Sequence, residues 1–319
     1  MVATQQTVKG GTLVDLNAIA TETPNPGTRD LDTMSPLEVA QAMNREDREV
    51  ALAVGRVLDE VAQAIAWGRE ALAAHGRIVY VGAGTSGRLG VLDAVECRPT
   101  FGVPDGVVVG LIAGGREALT CAVEGAEDDE GLGAADIDGV GVGETDLVVG
   151  LAASGRTPYV AGALRRAGER GARTAAVACT SPSAIGAVAD LAIEVPCGPE
   201  VLCGSTRLKA GTAQKMILNM ISTGSMVGTG KAYGNLMVDV QATNEKLRAR
   251  ARSIVERACD ATEAQAASVL SQTDGRAKPA IVSLLADVPV ETAESLLERA
   301  DGSVRAAVAL ADPRRKEDR

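Results

Sequence analysis

The stretch RIVYVGAGTSGRLGVLDAVEC, Arg77 to Cys97, governs how the rest of the chain is read. Ile78 to Val81 is an apolar run of strand character, and Arg88 to Val95 is an amphipathic run of helical character. The residues between them therefore form a strand-to-helix turn, with G-x-G-x-x-G at Gly82, Gly84 and Gly87. Such a turn delivers a helix N-terminus, whose unpaired N–H groups and positive dipole end favour an anion. The alternative is a tight turn that packs helix on strand and holds no ligand.

A dinucleotide would require an acidic residue closing the next strand, about 20 residues on, to take the ribose hydroxyls. The next strand candidate, GVVVGLIAGG from Gly106, ends in Ala113, Gly114 and Gly115, and Arg116 precedes the first acid, Glu117. Thr85 and Ser86 supply hydroxyl donors inside the turn itself. These features favour a phosphate monoester over a pyrophosphate bridge.

Further strand candidates, DLVVGLAAS, RTAAVACT and LAIEVPC, alternate with helical stretches. Their near-continuous Val, Ile, Leu and Ala suit strands buried on both faces, as in a parallel sheet covered by helices. Before them, Ser35 and Pro36 open the first of two helices, and residues 1–34 read as an irregular Pro- and Thr-rich arm. After Pro199 the chain turns helical. Residues 252–311 read as a small helical subdomain with breaks at TDGRAKP, DVPVE and DGS, and residues 312–319 as a charged tail.

A second anion-friendly turn follows the third strand at Ser154, Gly155, Arg156 and Thr157. Doubly wound sheets place ligands at the C-terminal ends of their strands, so the two turns can share one phosphate. A third hydroxyl group, Ser205 and Thr206 with Arg207 and Lys209, is read as opening a helix whose N–H groups can also face an anion. Each alone could be ordinary helix capping. Among carboxylates, Glu96 lies at the end of the helix that the first turn starts, and Glu124 and Glu127 fall in CAVEGAEDDEG.

The bulk properties narrow the class. The chain has 319 residues, 46% of them hydrophobic, enough for a packed core. A formal charge of −10 and 2% aromatic residues offer neither the basic footprint nor the stacking platforms of a nucleic-acid binder. Apolar stretches break well before the ~18 residues of a membrane span, and no secretory signal pattern opens the chain, so a cytoplasmic location is expected. The six cysteines form no C-x-x-C pair and read as reduced and mostly buried. The single histidine, His75, reads as a helix C-terminal residue, which excludes a histidine-rich metal site.

The runs VGAGTSGRLGVLDAVECRPTFG, GLIAGGREAL, AVEGAEDD, GLAASGRTPYVAGAL, STRLKAGTAQKMILNMISTGSM and YGNLMVDVQATNEKLRARA closely resemble the N-acetylmuramic acid 6-phosphate etherases, in order and spacing, from about Thr21 onward. The resemblance implies an α/β sugar isomerase (SIS) fold. That fold is a five-stranded parallel sheet flanked by helices, with a C-terminal helical part like a ubiquitin-associated domain. It implies a homodimer with active sites near the subunit boundary and a small-molecule sugar phosphate as substrate. The implied reaction cleaves the lactyl ether at C3, giving N-acetylglucosamine 6-phosphate and D-lactate, with no metal or cofactor.

By the same resemblance Glu96 is the acid that protonates the departing lactate and then activates water, and Glu127 assists ring opening or proton transfer. Substrate is expected on Gly84, Thr85, Ser86, Gly87, Ser154, Gly155, Thr157, Ser205 and Lys209. Val95 stands where the family has serine, Arg98 replaces the first proline of a pair, and Cys203 stands where threonine is common. An aldose–ketose phosphate isomerase on the same fold is the rival enzyme, separated by the release of lactate. A sugar-phosphate-sensing regulator is the non-catalytic rival, and the pair Glu96 and Glu127 speaks against it.

Overall fold

The computed structural model describes residues 20–121, 123–240 and 244–311. Helix α1 (Pro36–Val54) opens with a capping box in which Ser35 and Glu38 satisfy each other's backbone N–H groups, with Pro36 in the first turn. Helix α2 (Leu58–Ala73) follows, and His75 takes the left-handed conformation just beyond its end.

Five parallel strands come next: β1 (Ile78–Gly82), β2 (Val108–Ile112), β3 (Leu147–Ala152), β4 (Arg173–Ala178) and β5 (Leu191–Glu194). Their order is β2-β1-β3-β4-β5, so the chain reverses direction across the sheet between β1 and β3. Asp146 fixes the start of that central pair. It accepts from the Arg77 backbone N–H at 2.8 Å and from its guanidinium at 2.6 Å, which sets Ile78 beside Leu147.

Alternation along the strands divides the core. Ile78, Tyr80, Leu147, Val149 and Val177 face α1, α2, α3 (Gly84–Phe101) and α6 (Lys209–Gly228). Val79, Val81, Val148 and Ala176 face α4 (Glu130–Gly139) and α5 (Pro158–Glu169). Both faces are covered, as the continuous apolar runs require.

Helices α7 (Glu245–Cys259), α8 (Glu263–Gln272), α9 (Ala277–Ala286), α10 (Val290–Arg299) and α11 (Val304–Ala311) enclose a third core that takes in Val238 and Val240. Asp239 holds this part to the rest: it pairs with Lys231 at 3.2 Å and with Lys278 at 2.6 Å. Its carbonyl oxygen lies where a side chain on Gly102, at the end of α3, would have to go. The charged tail lies outside the described residues, as do residues 1–19 of the arm.

Candidate active site

The C-terminal ends of β1 and β3 lie side by side, with Gly82 paired to Leu151. The Gly82–Gly87 turn and the Ser154–Thr157 turn therefore leave the same edge of the sheet at the point where the strand order reverses. Crevices at such points are where ligands bind in this architecture.

Gly87 and Gly84 of the first turn do different things. A Cβ on Gly87 would come within 2.7 Å of both the Gly82 carbonyl oxygen and Ile112, so this glycine serves close helix-to-strand packing. Gly84 instead adopts φ +53° and has open space around it. It begins α3, and no side chain caps that helix. Helix-start N–H groups have no intrahelical partner, so this turn keeps donors for an incoming anion. Thr157 precedes α5 without making a side-chain cap, which leaves its hydroxyl uncommitted as well.

Gly84 and Arg88 also line a cavity of about 350 Å³ whose far wall includes Ala118, Cys121, Glu124 and Glu127. Arg88 holds part of that wall through its Nε–H to the Leu119 carbonyl at 3.0 Å. Glu127 is thus brought to the first turn. Glu96 is not: it lies roughly three turns and about 18 Å farther along α3, exposed, beside the exposed Leu92 and Val95.

The third hydroxyl-rich segment departs from expectation. Helix α6 begins at Lys209, preceded by Leu208, and not at Ser205. Its first N–H groups are already taken: Lys209 N donates to Glu200 Oε2 and Ala210 N to Glu200 Oε1, both at 2.9 Å. The Lys209 side chain is 2% exposed and pairs with Glu46 of α1 at 2.5 Å. Two carboxylates, the nearby Glu200 and the distant Glu46 of α1, thus occupy the positions that an anion would have filled. Ser205 and Thr206 remain partly exposed in the preceding turns.

The inward face of α3 meets α6 through polar contacts that local sequence patterns did not reveal. Ser86 is buried and donates its hydroxyl hydrogen to Gln214 Oε1 at 2.8 Å, so its donor points away from the turn. Asp93 Oδ1 accepts from Asn219 at 2.6 Å and from Ser222 at 3.2 Å. Burial, and after it the Asp93 carboxylate, holds the Tyr80 phenol well above its ordinary range and pushes the Cys97 thiol up to about 12. Cys121 and Cys203 depart from the expectation of burial and are exposed.

Two family matches agree with this fold. Residues 57–167 match the family described as the glucokinase regulatory protein N-terminal SIS domain, and residues 139–223 match the SIS domain. The chain is 55% identical over 295 residues to an N-acetylmuramic acid 6-phosphate etherase of Serratia proteamaculans, covering 92% of this chain and 99% of that one. It is 55% identical over 298 residues to the enzyme of that name from Pectobacterium atrosepticum, covering 93% and 98%. Among solved structures, a phosphoheptose isomerase from Francisella tularensis aligns with a TM-score of 0.47 at 14% identity, covering 61% of this chain and all of that one.

Proposed function

Because the chain belongs to the N-acetylmuramic acid 6-phosphate etherase family, we propose that it cleaves the C3 lactyl ether of N-acetylmuramic acid 6-phosphate. The products are D-lactate and N-acetylglucosamine 6-phosphate, as in salvage of cell-wall sugars. The observation that carries this reading is the high identity maintained over almost the whole of both chains.

The 6-phosphate sits on the Gly84–Gly87 turn, with Ser154, Gly155 and Thr157 opposite. Ring opening exposes an aldehyde at C1, which makes the C2 hydrogen acidic. Removal of that proton expels lactate with the ether oxygen, and water adds to C3 of the unsaturated aldehyde. Glu127 lies in the same cavity as the phosphate turn and serves ring opening or proton transfer. Glu96 gives its proton to the departing lactate oxygen and then takes one from the attacking water.

A single chain leaves Glu96 about 18 Å from Gly84, so its part in the reaction calls for a homodimer. Leu92 and Val95, 52% and 61% exposed, flank Glu96 on α3 and would be covered by a second copy. Glu96 then lies in a subunit boundary, where it can meet a substrate whose phosphate rests elsewhere.

Incubation with N-acetylmuramic acid 6-phosphate in H₂¹⁸O, followed by mass spectrometry, tests the chemistry. One ¹⁸O should enter the sugar and none the lactate; failure to release lactate sinks the proposal. Glu96→Gln should lower ether cleavage by at least ~10²-fold while exchange of the C2 hydrogen with solvent continues. Loss of both together would assign Glu96 to proton removal or ring opening instead. Light scattering tests the dimer, and Leu92→Glu should give a monomer that does not cleave the ether.

A further inference from the structure

Gln214 lies in the second turn of α6, fully buried at 0% exposure. The helix packs on the phosphate turn: a Cβ at Gly211 would stand 3.7 Å from Thr85 Cγ2. Gln214 Oε1 accepts the Ser86 hydroxyl at 2.8 Å, whereas its Nε2, out of reach of solvent, has no hydrogen-bond partner among the described residues. A buried donor left unpaired is costly, and native structures retain few of them. Farther along the same interface, Asn219 and Ser222 both donate to Asp93.

Ser86 has a single hydroxyl hydrogen. While Gln214 Oε1 holds it, Ser86 offers a phosphate oxygen only lone pairs. Reversing the terminal amide changes this. Nε2 then donates to Ser86 Oγ, and Ser86 passes its own hydrogen to the phosphate. A buried amide donor gains a partner, and an under-satisfied carbonyl oxygen, the less costly orphan, takes its place. The resulting donor chain ends on a charged acceptor, where hydrogen bonds are strongest and polarise one another.

We infer that Gln214 is a positioning residue for phosphate recognition: with its Nε2 toward Ser86 Oγ, it makes Ser86 a donor to a phosphate monoester in the Gly82–Gly87 turn. The inference rests on the phosphate site proposed above and assigns Gln214 no contact with the substrate itself.

The test measures binding of N-acetylglucosamine 6-phosphate and of unphosphorylated N-acetylglucosamine to the full chain by calorimetry. Gln214→Met keeps the volume and removes both amide groups; Gln214→Glu keeps the shape and the acceptor but has no N–H to turn toward Ser86. Each should weaken binding of the phosphorylated sugar by ~10-fold, the loss of about one strong hydrogen bond. The KM for the etherase substrate should rise in parallel, with a much smaller change in kcat. Ser86→Ala should cost about as much, and adding Gln214→Met to it should cost less than ~2-fold more, because the amide acts only through the hydroxyl. Melting curves confirm that each variant is folded. Binding by Gln214→Met within ~2-fold of the unmodified protein, or full additivity with Ser86→Ala, overturns the inference and leaves the phosphate site standing. If the unmodified protein does not prefer the phosphorylated sugar, the site and the inference fall together.

Discussion

The turn that starts α3 and the turns that lead into α6 both bring serine and threonine to a helix N-terminus, yet their donors have different fates. At α3 no side chain caps the helix, Gly84 stands in open space and a cavity adjoins it. At α6 the buried Glu200 takes two backbone N–H groups and Glu46 takes the Lys209 ammonium. The chain supplies its own anions at one helix start and leaves the other without a side-chain cap. Hydroxyl content does not separate them; the carboxylates of Glu200 and Glu46 do.

The largest expected effect comes from undoing the closed side. Glu46→Ala leaves Lys209 as a buried cation without its partner, which should cost about 3 kcal/mol or more in urea unfolding. Glu46→Leu combined with Lys209→Met should recover most of that loss, since no charge remains buried. A cost below ~1 kcal/mol for Glu46→Ala would mean that Lys209 is free to serve a ligand, and the contrast between the two helix starts would collapse.

On the open side, two glycines of one turn should respond differently. Gly87→Ala forces a methyl against the Gly82 carbonyl and Ile112, so it should destabilise by ~1–3 kcal/mol. Gly84→Ala meets nothing and should cost about 1 kcal/mol for its left-handed backbone. Sugar-phosphate affinity, read by calorimetry, should fall for Gly84→Ala out of proportion to that small loss. If only stability moved, the turn would be a packing device without a ligand.

The smallest effect is also the most local. Iodoacetamide at pH 8 should label Cys121, beside the open turn, and Cys203, in the segment leading to α6, both of which are exposed. Cys97, buried and with its thiol pushed up to about 12, should stay unlabelled until the chain unfolds. N-acetylglucosamine 6-phosphate should slow labelling of Cys121 and leave Cys203 unchanged. Equal protection of both, measured by peptide mass spectrometry, would place ligand at the α6 start as well.

The sheet was legible because its strands are apolar on both faces: RIVYVG, VVVGLIAG, DLVVGLAAS, RTAAVACT and LAIEVPC contain β1 to β5 in turn. Ser35 and Pro36 likewise announced α1, since capping chemistry is local. What escaped were partnerships across the fold. Nothing near Lys209 in sequence marks Glu46 as its counter-ion, and Ser86 reads as a free hydroxyl until Gln214 is seen beside it. The placement of Glu96 is intermediate. Helix length alone carries it away from the first turn, but nothing local in the sequence marks what it faces there.

The segment before α1 has a consequence for how the chain comes into being. Thr28 donates its hydroxyl to the Val201 carbonyl at 2.8 Å, Gly204 N donates to the Thr21 carbonyl at 3.0 Å, and Cys203 Sγ donates to the Glu22 carbonyl at 3.0 Å. The first described residues are thus clasped to the connection between β5 and α6. On a ribosome they emerge early, and their partners follow only after all five strands have been made. Domains fold as units while synthesis proceeds from the N-terminus. Here Thr21, Glu22 and Thr28 must wait for Val201 to Gly204, so the segment that leads into α1 is among the last parts of this domain to find its place.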